Sequence, residues 1–273
     1  MKILLTTHQF FPVFSAGTEV LTRSVARELI RRGHEVRVMT GYPAGADVPD
    51  DARTDEYWLE GIRIHRFHHA YVPMGGQTSK IEIGFNNQLA ADYFARVIDS
   101  FRPDFVHFFH FNRLGTGLIE RAIEAGVPAY FTPTDFWTIC PTGQLLYADG
   151  SVCPGPSAHA GNCVVHFVGN TLGGRLAKLV WRLPAQAGDI LVRVTRTGAW
   201  LDFGYVQEVA AMSGRLALNV KRLNQLSGIV APNQMVEQLM LRYGVRPDRL
   251  IVAASCSPIP SSGVRPPRPC RRA

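Results

Sequence analysis

Nothing in this 273-residue chain approaches the roughly 18 uninterrupted apolar residues that a bilayer span needs. The apolar start from Met1 to Thr7 is too short for a signal peptide. His8 and Gln9 interrupt it, and no small-residue cleavage site follows; a buried first strand is expected instead. There is no Gly-x-Gly-x-x-Gly fingerprint and no Gly-Lys-Ser/Thr phosphate loop. Charged residues are scarce, at 19%, so some surface is expected to be apolar or partnered. The net charge of +7 would admit nucleic acid, a membrane surface or anionic substrates. The basic residues are scattered among aliphatics with no nucleic-acid module around them, which puts nucleic acid last. Five cysteines, an odd number with no export signal, point to a reducing, cytoplasmic setting.

What is present is an alternation of strand and helix signals. Lys2 to Thr6 reads as a buried strand. Thr18 to Arg32 carries Val20, Leu21, Val25, Leu29 and Ile30 as a helical apolar face, with Thr18 as cap and Gly33 as stop. Glu35 to Thr40 is a second strand, and the β-α-β crossover implies a parallel sheet. Residues 41–55 read as a loop. Glu60-Gly61 marks a hairpin turn between Tyr57–Leu59 and Ile62–Phe67. Ser79 to Phe101 reads as one long helix ended by Pro103, Asp104 to Phe109 as a strand, Leu114 to Ala125 as a helix, and Ala129 to Thr132 as a strand.

An irregular, cysteine-bearing stretch is expected over 133–170, then helical patterns from Leu172 to Leu226 with breaks near Pro184 and Gly188. Gly228 to Ala231 is a late strand, Asn233 caps a helix to Tyr243, and Leu250 to Ala253 is the last strand. Residues 255–273 hold five prolines and no apolar periodicity, the composition of a disordered tail. The expected fold is one α/β domain over 1–254, with a doubly wound, mostly parallel, Rossmann-like sheet and helices on both faces.

Four stretches carry a family resemblance. They are Pro12-x4-Gly17-Thr18-Glu19 with Ala26-x2-Leu29-x3-Gly33-His34-Glu35-Val36; Arg102-Pro103-Asp104-Phe105-Val106-His107; Thr134-Asp135-Phe136-Trp137-x2-Cys140-Pro141-x2-Gln144-Leu145-Leu146; and Asn224 to Tyr243 around Ile229-Val230-Ala231-Pro232-Asn233. In this order they resemble the amino-terminal, acceptor-side domain of the family-4 retaining glycosyltransferases, which have a GT-B fold of two facing Rossmann-like halves. The resemblance covers about residues 1–254. It implies transfer of a sugar from a nucleotide-sugar donor to a hydroxyl of a sugar or lipid-linked acceptor, with no cofactor needed for the chemistry. The donor-binding half is expected from a second series of β-α units, and none follows Ala253. The alternatives are a non-catalytic acceptor-binding or partner subunit, or an inactive truncated product.

The resemblance also implies roles. Gly17, with Thr18 beside it, would let backbone amides and the helix amino terminus approach the donor diphosphate; its bland alternative is a helix-start glycine. The family often has His-Asp where this chain has Thr134-Asp135, so a role resting on that imidazole does not carry over. Asp135 would bind a sugar hydroxyl, or else cap local amides.

The strand from Asp104 bears two histidines three residues apart, which point to opposite faces. His107 is therefore expected in the sheet and His110 at the strand mouth, as a cleft residue or a satisfied structural one. Cys140-x12-Cys153-x9-Cys163-x2-His166 has the ligand types of a structural zinc site, against the alternative of free thiols in a packed loop. Arg175, Lys178 and Arg182 share one face of a helix with Trp181 nearby, a pattern that can rest on the inner face of a membrane or serve as an ordinary surface helix.

Overall fold

The computed structural model describes residues 1–147, 149–172, 184–196 and 206–252. Expectations about the basic helix around Arg175 to Arg182, about Ala253 and about the 255–273 tail fall outside the described residues.

Eight strands form one sheet: β1 (Lys2–Thr7), β2 (Glu35–Pro43), β3 (Thr54–Leu59), β4 (Ile62–His69), β5 (Phe105–Phe108), β6 (Ala129–Phe131), β7 (Gly228–Ala231) and β8 (Leu250–Val252), in the order β3-β4-β2-β1-β5-β6-β7-β8. Every pairing is parallel except the β3–β4 hairpin at one edge. At that turn Glu60 and Gly61 both take positive φ, 52° and 78°, as a tight two-residue hairpin requires.

The helices are α1 (Gly17–Arg31), α2 (Lys80–Phe85), α3 (Gln88–Phe101), α4 (Gly117–Glu124), α5 (Gly161–Leu172), α6 (Ala185–Arg196), α7 (Val206–Leu223) and α8 (Gln234–Arg242). Alternation along the strands divides the core in two. Ile3, Leu5, Val36, Val38, Ile62 and Ile64 face the side covered by α1. Leu4, Met39, Phe67, Val106 and Phe108 face the side where α3, α4 and α8 pack. Helices on both faces make the sheet doubly wound and Rossmann-like.

Several local expectations are corrected. The helix expected from Ser79 to Phe101 is two, because Asn87 leaves the helical path and its side chain caps Ala90 N, while Ser79 caps the shorter first piece. Thr18 does not cap α1; the N-cap is Ala16, with no side-chain bond. The buried face of α1 is Glu19, Thr22 and Ala26, and Val20, Leu21 and Ile30 are exposed. The 133–170 stretch is not irregular throughout, since α5 begins at Gly161 and carries Cys163 and His166. Gly188 breaks nothing. It lies inside α6, where a Cβ would stand 2.7 Å from the Gly161 carbonyl carbon, so the pair of glycines lets α5 and α6 meet backbone to backbone.

Candidate functional site

Strand order reverses at β1, whose neighbours β2 and β5 lead away to opposite sides. Open α/β sheets bind ligands beyond the carboxyl ends of the strands at such a switch point. The residue after β1 is His8, and His110 follows β5 by two positions. Their rings stack across the switch point with centroids 4.0 Å apart.

His110 is locked on both nitrogens. Its Nδ1 accepts the backbone N–H of Asn112 at 3.0 Å, so in the neutral ring the proton sits on Nε2 and is donated to Asp135 Oδ2 at 2.9 Å. The other carboxylate oxygen of Asp135 accepts Trp137 N at 2.8 Å. Gly143, at φ 77°, packs so closely that a Cβ would lie 2.8 Å from Asp135 Oδ2, and this fixes the carboxylate from behind. Thr134 carries no imidazole, and the histidine bonded to Asp135 is His110, which comes from a different strand. Thr134 instead accepts a hydrogen bond from Thr18 Oγ1 at 2.9 Å and donates to Phe109 O at 3.2 Å, tying α1 to the strand mouths.

His8 is neutral. Burial first, then the neighbouring His110 and Arg113, push its pKa down to about 2. Glu19 lies 3.7 Å away, beyond hydrogen-bond reach, so this contact is no ion pair. Glu19 is fully buried, and neither of its carboxylate oxygens has a hydrogen-bond partner among the described residues. His107 behaves as a sheet residue, bonded to Thr132 Oγ1 at 2.9 Å, with its pKa lowered to about 4 by burial.

His8, His110 and Asp135 form a ridge between two clefts. One, of about 650 Å³, is lined by Gly17, Thr18, Thr134 and the β7 exit at Pro232 and Asn233. The other, of about 610 Å³, is lined by Tyr71, Lys80, Phe85, Trp137, Met212 and Arg215. Gly17, His110 and Asp135, spread over more than a hundred positions of sequence, therefore meet at one edge. His8, Glu19, Gly143 and Arg215 were missed. His8 could have been found from its place one residue past the first strand, and Glu19 from its place beside Gly17 and Thr18 in the first of the four stretches; Gly143 and Arg215 carry no local signal.

Cys140, Cys153, Cys163 and His166 line one small cavity of about 30 Å³. They converge, but among the described residues no three His, Cys, Asp or Glu side chains are gathered as a metal-ligand set. The loop has another source of order. Asp189 of α6 accepts from Ser157 Oγ, His159 N and Gly161 N at 2.7–3.1 Å. Asn162 binds Ser157 N and Gly155 O, and Tyr243 donates to the carbonyls of Pro154 and Pro156. The three cysteines are free thiols, and burial followed by the two neighbouring sulfurs raises Cys163 to about 12. Among the described residues, no helix is long and apolar enough to cross a membrane.

Comparison with known proteins agrees with the resemblance in the sequence. Residues 16–161 match the model of the glycosyl transferase 4-like domain. Among solved structures, the chain is similar to an E. coli protein described as trehalose-6-phosphate bound with UDP-2-fluoro glucose (10% identity, TM-score 0.39, 92% of this chain and 48% of that one). It is also similar to Acinetobacter baumannii MurG (13% identity, TM-score 0.32, 92% and 66%). A third is UDP-GlcNAc 2-epimerase from Neisseria meningitidis bound to UDP-GlcNAc (11% identity, TM-score 0.31, 92% and 72%). The chain spans about half the length of the first of these, and no curated protein matches it. The matched segment runs from the first helix through the Asp135 loop to the start of α5, and by it the chain belongs to the glycosyl transferase 4-like family.

Proposed function

We propose that this chain forms the acceptor-side wall of a retaining sugar transferase, which moves a glycosyl group from a nucleotide-sugar donor to an acceptor hydroxyl. The observation that carries this reading is the His110–Asp135 pair standing at the switch point between two clefts, one of which opens on the amino terminus of α1.

In this reading the donor diphosphate lies in the cleft at Gly17 and Thr18. The unpaired amides and positive dipole end of α1 favour negative charge there, and more so as charge builds on the leaving diphosphate. A Cβ at Gly17 would touch no protein atom within 4 Å. The fold itself does not demand a glycine there, and the missing side chain leaves the backbone open to an approaching diphosphate. The acceptor enters the second cleft. Asp135, held by His110 and Trp137 N, keeps lone pairs free to accept a hydroxyl hydrogen bond from acceptor or transferred sugar and to orient it. His110 acts as a positioning group for that carboxylate. A second Rossmann-like unit would supply the remaining donor contacts.

The test is transfer from a panel of nucleotide sugars to glycan and lipid-linked acceptors, measured for the protein expressed in its native context. Asp135→Asn and His110→Ala are each expected to lower turnover by about 100-fold or more, with folding checked by circular dichroism. Unchanged turnover in both variants would overturn the assignment.

A further inference from the structure

Two arginines of α7 are buried alike, at 4% exposed for Arg215 and 5% for Arg222. They sit seven residues apart, on one face of the helix. Arg222 has its counter-charge within the chain: Nη2 pairs with Glu120 Oε2 at 2.7 Å, and Thr116 and Asn86 accept its other bonds. Arg215 has none. Its guanidinium donates to the carbonyls of Ile139 and Trp137 and stacks 4.5 Å from the Trp137 ring centroid. These neutral acceptors and the ring face bring no carboxylate into contact with the charge.

Among the described residues, the carboxylates nearest Arg215 make their hydrogen bonds to other groups. Asp135 is held by His110 and Trp137 N. Glu208, two helical turns back along α7, is taken up by Ser79 Oγ and the amides of Lys80 and Ile81. Asp135 lies close enough to favour the guanidinium charge without forming an ion pair with it, and the Cys140 and Cys163 sulfurs lie nearby. Burial lowers the Arg215 pKa to about 10, which leaves the group charged at neutral pH. A buried charge without a partner is costly, and the cost is relieved by any oxyanion that reaches it. Arg215 lines the second cleft, which has Lys80 at its mouth, so the missing partner has a route in.

We propose that the second cleft takes an acceptor bearing an oxyanion, phosphate or carboxylate, which seats against Arg215. This rests on the assignment of that cleft to the acceptor and adds the chemical class of what it holds. Arginine presents planar paired donors that match both anions.

The experiment titrates the isotope-labelled full chain with inorganic phosphate, D-glucuronate and the uncharged methyl glucoside at constant ionic strength. It follows the Nε–H resonances of Arg215 and Arg222. The expected result is a saturable shift of Arg215 with one or both anions, none with the glucoside and none at Arg222. The phosphate and glucuronate arms tell a phosphorylated acceptor from a uronate one. Arg215→Lys is expected to weaken anion binding by about tenfold or more. If that variant does not fold, the titration of the unaltered chain decides alone.

No shift at Arg215 with either anion overturns the proposal, as does an equal shift with the glucoside. Phosphate that moves only the Gly17 and Thr18 amides also overturns it, while leaving the transferase reading intact. Conversely, a saturable Arg215 shift together with unchanged turnover in the His110 and Asp135 variants keeps the oxyanion site and removes the transferase reading.

Discussion

At the scale of single residues, the site is built from groups whose roles oppose ordinary folding preferences. A glycine in the first turn of a helix costs backbone entropy, and alanine there is the better helix former. Gly17 occupies that position in α1 with open space around its missing side chain. Gly17→Ala is therefore expected to leave stability unchanged or raise it by up to about 1 kcal/mol, while weakening binding of a nucleotide diphosphate. Thermal melts and calorimetric titration with UDP check the two halves separately. A loss of stability would mean that Gly17 serves the fold rather than a ligand. Gly143 is the opposite case, since its left-handed φ and its contact with Asp135 both forbid a side chain. The sequence made Gly17, His110 and Asp135 legible because each follows a strand, and strand ends in a doubly wound sheet share one edge. Arg215 was not legible. What gives it meaning is the reach to carbonyls 76 and 78 positions earlier in the chain and, among the described residues, the lack of an ion-paired carboxylate, and neither leaves a local pattern.

Between elements, the junction of α5 and α6 orders the cysteine-bearing loop through hydrogen bonds and close packing. Two glycines allow the helices to touch, and one carboxylate, Asp189, holds the loop that leads into α5 through three donors. Partial burial works against the Asp189 charge, but hydrogen bonds from Ser157, Gly161 and His159 outweigh it and keep the pKa below the usual aspartate range. Asp189→Ala leaves those donors without their acceptor and is expected to cost about 1–3 kcal/mol. Exposure of Cys163 to a thiol reagent should rise with it, because the helix that carries Cys163 loses its anchor. Equal stability and equal thiol reactivity in the variant would show that the loop is held by something else. Helix patterning from the sequence was sound where burial is one-sided, as in α3. It placed Val25 and Leu29 rightly on α1's inner face but missed Glu19 and Thr22, which are buried against their hydropathy. It missed the interruption before α3 because Asn87 stops one helix and caps the next within a continuous apolar pattern.

For the whole molecule, the burial of neutral imidazoles ties the fold to pH. Three rings are held well below the ordinary histidine value of 6.5: His8 at about 2, His69 at about 3 and His107 at about 4. Burial is the leading cause in each, assisted at His8 by His110 and Arg113 and at His69 by Arg113 and Arg53. A folded pKa below the unfolded one means that the unfolded chain takes up these protons first. The stability is intact above pH 6.5 and is lost as pH falls from there toward the folded values. Near pH 5 the unfolded chain binds about three more protons at these sites, a slope of about 4 kcal/mol per pH unit. Against a domain stability of roughly 5–15 kcal/mol, that is enough to unfold the chain between about pH 6 and pH 4. Carboxylates held low by arginines, such as Asp55 beside Arg66, add their own loss only at more acidic pH. Urea unfolding at a series of pH values measures the slope directly. His107→Gln, which keeps a polar group near Thr132, is expected to lower the slope by about one proton. A slope near zero from pH 6.5 to 5 would instead mean that the three rings take up protons in the folded state. The switch point at His8 would then hold positive charge beside Arg113, a site suited to binding anions directly rather than through the amides of α1.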